Sequence, residues 1–82
     1  MNMTWFVYLA KFKHGLYTGT TMDLNRRIIQ HNNGSGAKSL IGKGPISLVY
    51  SESFQSHSEA LKREYEIKGW RREKKLELIE GR

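Results

Sequence analysis

A chain of 82 residues without a single cysteine has only burial to hold it together. Disulfide staples and thiolate zinc sites are both excluded, and a chain this short supports one modest core, because a second would bury too little apolar surface to offset chain entropy. One domain over residues 1–82 is therefore expected. No apolar run approaches the roughly 20 residues that cross a bilayer, and Met1 to Thr4 leads into a strand pattern instead of a signal peptide. A cytoplasmic monomer with no membrane partner is the expectation.

The formal net charge is +6, and its distribution matters more than its sum. Residues 1–50 carry six basic side chains, Lys11, Lys13, Arg26, Arg27, Lys38 and Lys43, against the single acid Asp23, whereas residues 51–82 carry eight basic and seven acidic residues. A half that is almost free of acids suits a polyanion, since each phosphate contact releases condensed counterions and nearby carboxylates would oppose it. Charge spread for solubility alone is the competing explanation.

Trp5 to Phe12 (WFVYLAKF) is rich in aromatic and β-branched residues and predicts a strand. Lys13-His14-Gly15 predicts a short turn, with Gly15 free to take positive φ, and Leu16 to Thr20 predicts the antiparallel return. Asp23 can accept from the amides of a first helical turn, so it caps a helix that runs to about Asn33 and ends at Gly34. Gly34 to Pro45 is a polar, basic, glycine-rich loop. Ile46 to Ser53 alternates as a third strand. Ser56-His57-Ser58-Glu59 is a capping box that starts a second helix, closed by Gly69, and Arg71 to Glu80 predicts a last short helix. The order β-β-α-β-α-α implies an α+β domain, a small three-stranded antiparallel sheet flanked by helices.

Polar side chains on faces that should be apolar are the candidates for chemistry. At about 100° per residue, Leu24 and Ile28 set the core stripe of the first helix; Arg27 and His31 lie along its edge while Arg26 falls roughly opposite, a solvated charge. On the second helix, an apolar arc drawn through Leu61, Tyr65, Ala60 and Ile67 is centred close to Glu64, and Glu59 and Glu66 face water. A carboxylate on that arc must meet a cation, a metal or a hydrogen-bond cluster, since burying it unpaired costs several kcal/mol. Arg27 in an internal ion pair is one such partner, with His31 satisfied beside it, and Lys68 is another. On the hairpin, Tyr8 and Tyr17 offer hydroxyls at one edge of the sheet, although tyrosines on strands are most often core residues with a wet tip.

The ordered set resembles the GIY-YIG nucleases. Phe6-Val7-Tyr8-Leu9 and Leu16-Tyr17-Thr18-Gly19 are similar to the two opening motif strands, Asp23-Leu24-Asn25-Arg26-Arg27 with His31 to the arginine helix, and Ala60-Leu61-Lys62-Arg63-Glu64 with Ile67-Lys68 to the metal-binding helix. The likeness runs from Trp5 to about Leu78 and is greatest to small stand-alone bacterial members, which share Gly34-Ser35-Gly36-Ala37-Lys38 and Gly42-Lys43-Gly44. The first motif keeps only its tyrosine, Thr20 stands where some relatives carry lysine, and the terminal asparagine motif is replaced by a charged helix.

The resemblance implies the GIY-YIG fold and a metal-dependent endonuclease acting on DNA in preference to RNA. Glu64 would bind one Mg²⁺ or Mn²⁺ ion, Arg27 would hold the scissile phosphate, Tyr8 and Tyr17 would position and deprotonate the attacking water with help from Arg27 and the metal, and His31 would orient a tyrosine or relay its proton. Arg26, Lys38, Lys43, Arg71 and Arg72 would hold the substrate backbone without reading sequence. Two other readings stand beside it: a nucleic-acid-binding module with little or no turnover, or one that needs a protein partner to supply specificity and cut, and a protein-interaction domain in which Arg27 and Glu64 form only an internal pair.

Overall fold

The central strand determines the layering. In the computed structural model, which describes residues 3–81, β1 (Trp5–Phe12) lies between β2 (Gly15–Thr21) and β3 (Ser47–Phe54), antiparallel to both. Met1, Asn2 and Arg82, the ends of the expected 1–82 domain, lie outside the described residues. The helices are α1 (Leu24–Asn32), α2 (His57–Lys68) and α3 (Arg72–Glu80), giving the expected order β-β-α-β-α-α. None among the described residues is long and apolar enough to cross a membrane.

Val7, Tyr8, Leu9 and Ala10 are all buried, so β1 is covered on both faces. Because successive side chains point to opposite sides of a strand, this continuous run creates two small cores where the sequence suggested one. Val7 and Leu9 pack with Ala60 and Ile67 of α2 and with Trp70, Leu78 and Ile79 from the C-terminal segment. Tyr8 and Ala10 pack on the other side with Leu24 and Ile28 of α1 and with Leu40 and Ile46. The sheet is thus the middle layer of three.

Local chemistry explains the connections. Asp23 accepts from the Arg26 amide at the start of α1, and Ser56 does the same for Glu59 at the start of α2. Gly34, at φ 84°, closes α1 in the left-handed region. Gly15 does not; it belongs to β2, pairs with Phe12 and lies under the Phe12 ring, so the two-residue turn at Lys13 and His14 needs no positive φ. The glycine-rich segment is more structured than a polar loop. Lys38–Leu40 forms a 3₁₀ turn that buries Leu40, and the Asn32 carboxamide bonds both the carbonyl and the amide of Ile46, fastening the end of the segment to α1. In β3 one extra residue, Val49, interrupts the pairing opposite Leu9 and Ala10.

A charged cluster ties β3 to α2. Arg63 bonds both oxygens of Glu52, at 2.8 and 2.9 Å, pairs with Glu66, and lies 5.0 Å from the Trp70 ring, while the Tyr50 hydroxyl donates to Glu52. The Arg63 guanidinium holds the Glu52 carboxyl below its usual range, more than partial burial raises it. Replacing Arg63 by alanine strands a half-buried carboxylate, and we expect a loss of about 1–3 kcal/mol. Thermal denaturation checks this: Arg63→Ala should melt well below the parent, whereas the exposed Arg26→Ala should stay within about 0.5 kcal/mol of it.

Candidate active site

The missing side chain of Gly19 allows the site to form. Tyr8 and Gly19 are paired across β1 and β2, and a Cβ on Gly19 would lie 2.7 Å from the Tyr8 hydroxyl and 2.9 Å from the Tyr17 ring. Glycine therefore lets both phenols lie across β2, their centroids 6.2 Å apart. The His31 ring from α1 completes the cluster, edge-on to Tyr17 at 5.3 Å.

Tyr8 is only 1% exposed and His31 only 3%. The Tyr8 oxygen is 2.7 Å from His31 Nε2, and His31 Nδ1 accepts from the Ala37 amide at 3.3 Å. Burial, and secondarily the Arg27 charge, push the His31 pKa below its ordinary 6.5. Burial also pushes the Tyr8 phenol up to about 12; hydrogen bonding from Arg27 opposes that shift, while Tyr17 and Glu64 add to it. The expected lowering by Arg27 is thus present but outweighed.

Arg27 is partly buried and Arg26 exposed, as the helical angles require. Arg27 Nη1 donates to Gln30 Oε1 at 3.1 Å, so Gln30 steadies the guanidinium beside Tyr8. Glu64, on α2, has a side chain 17% exposed and a carboxylate 3.4 Å from Lys68 Nζ. The apolar arc of α2 is narrower than predicted: Ala60 and Ile67 are buried, but Leu61 is 43% exposed and Tyr65 84%, which places Glu64 on the flank of the buried stripe and not at its centre. Nor do Arg27 and Glu64 form the internal ion pair considered above. Arg63 pairs with Glu52 and Glu66, and Glu64 pairs with Lys68.

The basic side chains divide between the two sides of the sheet. Arg26 lies with Arg27, Gln30, Trp5 and Thr20 along an open groove of about 320 Å³, and Lys38 and Lys43 are exposed on the segment after α1. Arg71 and Arg72 instead begin α3, whose Leu78 and Ile79 pack with Val7 and Leu9, so they are not brought together with the others. Sequence patterns do not single out Gly19, Gln30 or Gly36 as functional positions; Gly19 and Gly36 lie within the motif segments, and the hairpin register sets Gly19 opposite Tyr8.

Among the described residues no three His, Cys, Asp or Glu side chains gather as a metal cluster. A single half-buried carboxylate, Glu64, nevertheless fits a hard cation that keeps most of its ligands as water and phosphate oxygens, as Mg²⁺ does. A structural metal centre would not fit.

Comparison with known proteins places this geometry. The profile of the GIY-YIG catalytic domain matches residues 4–77. A UPF0213 protein of Staphylococcus saprophyticus is 56% identical over 75 residues, covering 90% of this chain and 92% of its own. A UPF0213 protein of Staphylococcus aureus is 53% identical over 78 residues, covering 94% and 95%. The solution NMR structure of a UPF0213 protein from Bacillus halodurans is similar with a TM-score of 0.60 at 43% identity, covering 95% of this chain and 84% of that one.

The depressed His31 pKa has a consequence for stability. Between its folded pKa and the ordinary value near 6.5, the unfolded chain binds a proton that the folded protein refuses, so stability is lost as pH falls through this window. Melting temperatures measured from pH 7 to 5 should decline for the parent and decline less for His31→Gln. Parallel curves would contradict the buried neutral imidazole.

Proposed function

The chain belongs to the GIY-YIG catalytic-domain family, and from that premise we propose that it is an endonuclease domain hydrolysing nucleic-acid phosphodiesters, DNA in preference to RNA. The observation that carries this reading is the cluster that Gly19 admits: the Tyr8 and Tyr17 phenols lie together, the His31 imidazole is bonded to the Tyr8 oxygen, and Gln30 holds the Arg27 guanidinium on the same helix. Two phenols, an imidazole and a guanidinium gathered at one point of a small fold are a set useful for phosphoryl transfer.

Glu64 would hold the Mg²⁺ or Mn²⁺ ion, which when bound supplies positive charge to the phosphate oxygens. Arg27 donates in a fork to two of those oxygens and stabilises the extra negative charge of the transition state. A tyrosine must first lose its own proton to solvent; the phenolate then takes the proton that water gives up as water adds to phosphorus and the bond to the leaving sugar oxygen breaks. Tyr8 fits this role better than Tyr17, because His31 and Arg27 both bear on its oxygen. Tyr17 is the more exposed of the two and would orient the water. With its pKa near 12, Tyr8 would be ionised in only about one molecule in 10⁵ at neutral pH, so the free protein rests in a protonated state. Arg26, Lys38 and Lys43 would contact backbone phosphates without reading bases.

A nucleic-acid-binding module with little turnover is the alternative, and one observation favours it: Lys68 already neutralises Glu64. Incubation of supercoiled and branched DNA with Mg²⁺ or Mn²⁺ distinguishes the two. Nicking is expected from the parent, with losses on the order of 10²-fold or more in Arg27→Ala and Glu64→Ala while circular dichroism stays unchanged. Salt-dependent binding without cleavage across metals and substrates would establish the module instead, and absence of both would overturn the reading.

A further inference from the structure

We propose that the glycine-rich segment after α1 sets the tautomer of His31, so that the imidazole is a fixed N–H donor to the Tyr8 oxygen and never the acceptor of its proton. The Ala37 amide can only donate, and it points at His31 Nδ1 from 3.3 Å. Nδ1 must therefore present its lone pair, and a neutral imidazole then carries its hydrogen on Nε2. Nε2 is the atom 2.7 Å from the Tyr8 oxygen, so the phenol accepts there. The opposite tautomer, or an imidazolium, would set one N–H against another at Ala37.

The segment is built to press on this ring. A Cβ at Gly36 would lie 2.3 Å from His31 Nδ1 and 2.9 Å from both the amide nitrogen and Cα of His31, so no larger residue allows the approach. The amides of Ser35 and Gly36 both donate to the Gln30 carbonyl, at 3.0 and 2.9 Å, anchoring the segment one residue before His31. The Gln30 side chain also accepts from Arg27, so the same turn of α1 steadies both groups that bear on Tyr8.

The consequence concerns where a proton goes. A Tyr8 oxygen that accepts from His31 directs its own hydrogen away from the imidazole, and charge developing on that oxygen meets N–H donors already in place. His31 is then a positioning residue, with Gly36 and Ala37 acting through it. The tautomer stands on geometry alone; only its catalytic consequence rests on the endonuclease reading.

Long-range ¹H–¹⁵N correlation on uniformly labelled protein near pH 7 reads the tautomer, with His31 assigned by the signals lost in His31→Gln. A pyrrole-type Nε2 and a pyridine-type Nδ1 are expected, with a shift toward a tautomer mixture in Gly36→Ala. A protonated Nδ1 in the parent would overturn the proposal, whether or not the variants fold. In cleavage, glutamine can place an N–H where Nε2 stands, so His31→Gln should remain within about tenfold of the parent while His31→Ala falls by about 10² or more. Glutamine as damaging as alanine would overturn the donor role. The expected tautomer with no cleavage of any substrate by the parent would refute the endonuclease reading and leave the tautomer assignment supported.

Discussion

A phenol buried in the middle of a central strand must have its oxygen bonded, and His31 is the group that bonds it. Leaving such a hydroxyl without a partner costs about 1–3 kcal/mol, a large share of the stability of a domain this small. The bond requires β1 to be covered on both faces, Gly19 to stand aside in β2, α1 to turn His31 inward, and the following segment to close over the imidazole. Four parts of the chain thus meet around one oxygen. Arg27, held by Gln30 on α1, bears on the same oxygen, so the packing requirement and the candidate chemistry share a location.

Electrostatics show why this arrangement is quiet in the free protein. Burial keeps the Tyr8 phenol protonated and the His31 imidazole neutral, and Lys68 balances Glu64. Each of these is a resting condition that a polyanion and a cation arriving together would change. Under the endonuclease reading, the exposed Arg26 and the groove it shares with Arg27 would be the approach on one side of the sheet. On the other side, Glu52, Arg63, Glu66 and Trp70 make a separate network whose geometry joins β3 to α2 and does not touch the phenols. Two charged clusters of similar composition therefore do different work, one joining elements and one left open.

Much of this was legible in the residues because it depends on local chemistry. Capping by Asp23 and Ser56 follows from side chains that bond the next turn, and the contrast between Arg26 and Arg27 follows from helical angle. The second helix was harder, since Leu61 and Tyr65 suggest a core face that the structure leaves exposed. A small sheet accommodates only a narrow stripe of α2, and Ala60 with Ile67, two turns apart, is enough to fill it. Gly15, Gly19 and Gly36 illustrate the remaining gap. All three are close approaches in which an aromatic or imidazole ring occupies the space of a side chain, and such a need exists only once the partner's position is known.

The account stands or falls on the Tyr8 oxygen. Single-turnover cleavage of supercoiled DNA by Tyr8→Phe, measured beside the parent at equal metal and protein concentrations, is its most direct test. The phenyl ring keeps the packing over Gly19 while removing the oxygen that His31 bonds and on which Arg27 bears, so a folded protein with cleavage reduced by about 10² or more is expected. A folded Tyr8→Phe protein that cuts at the parental rate would contradict it.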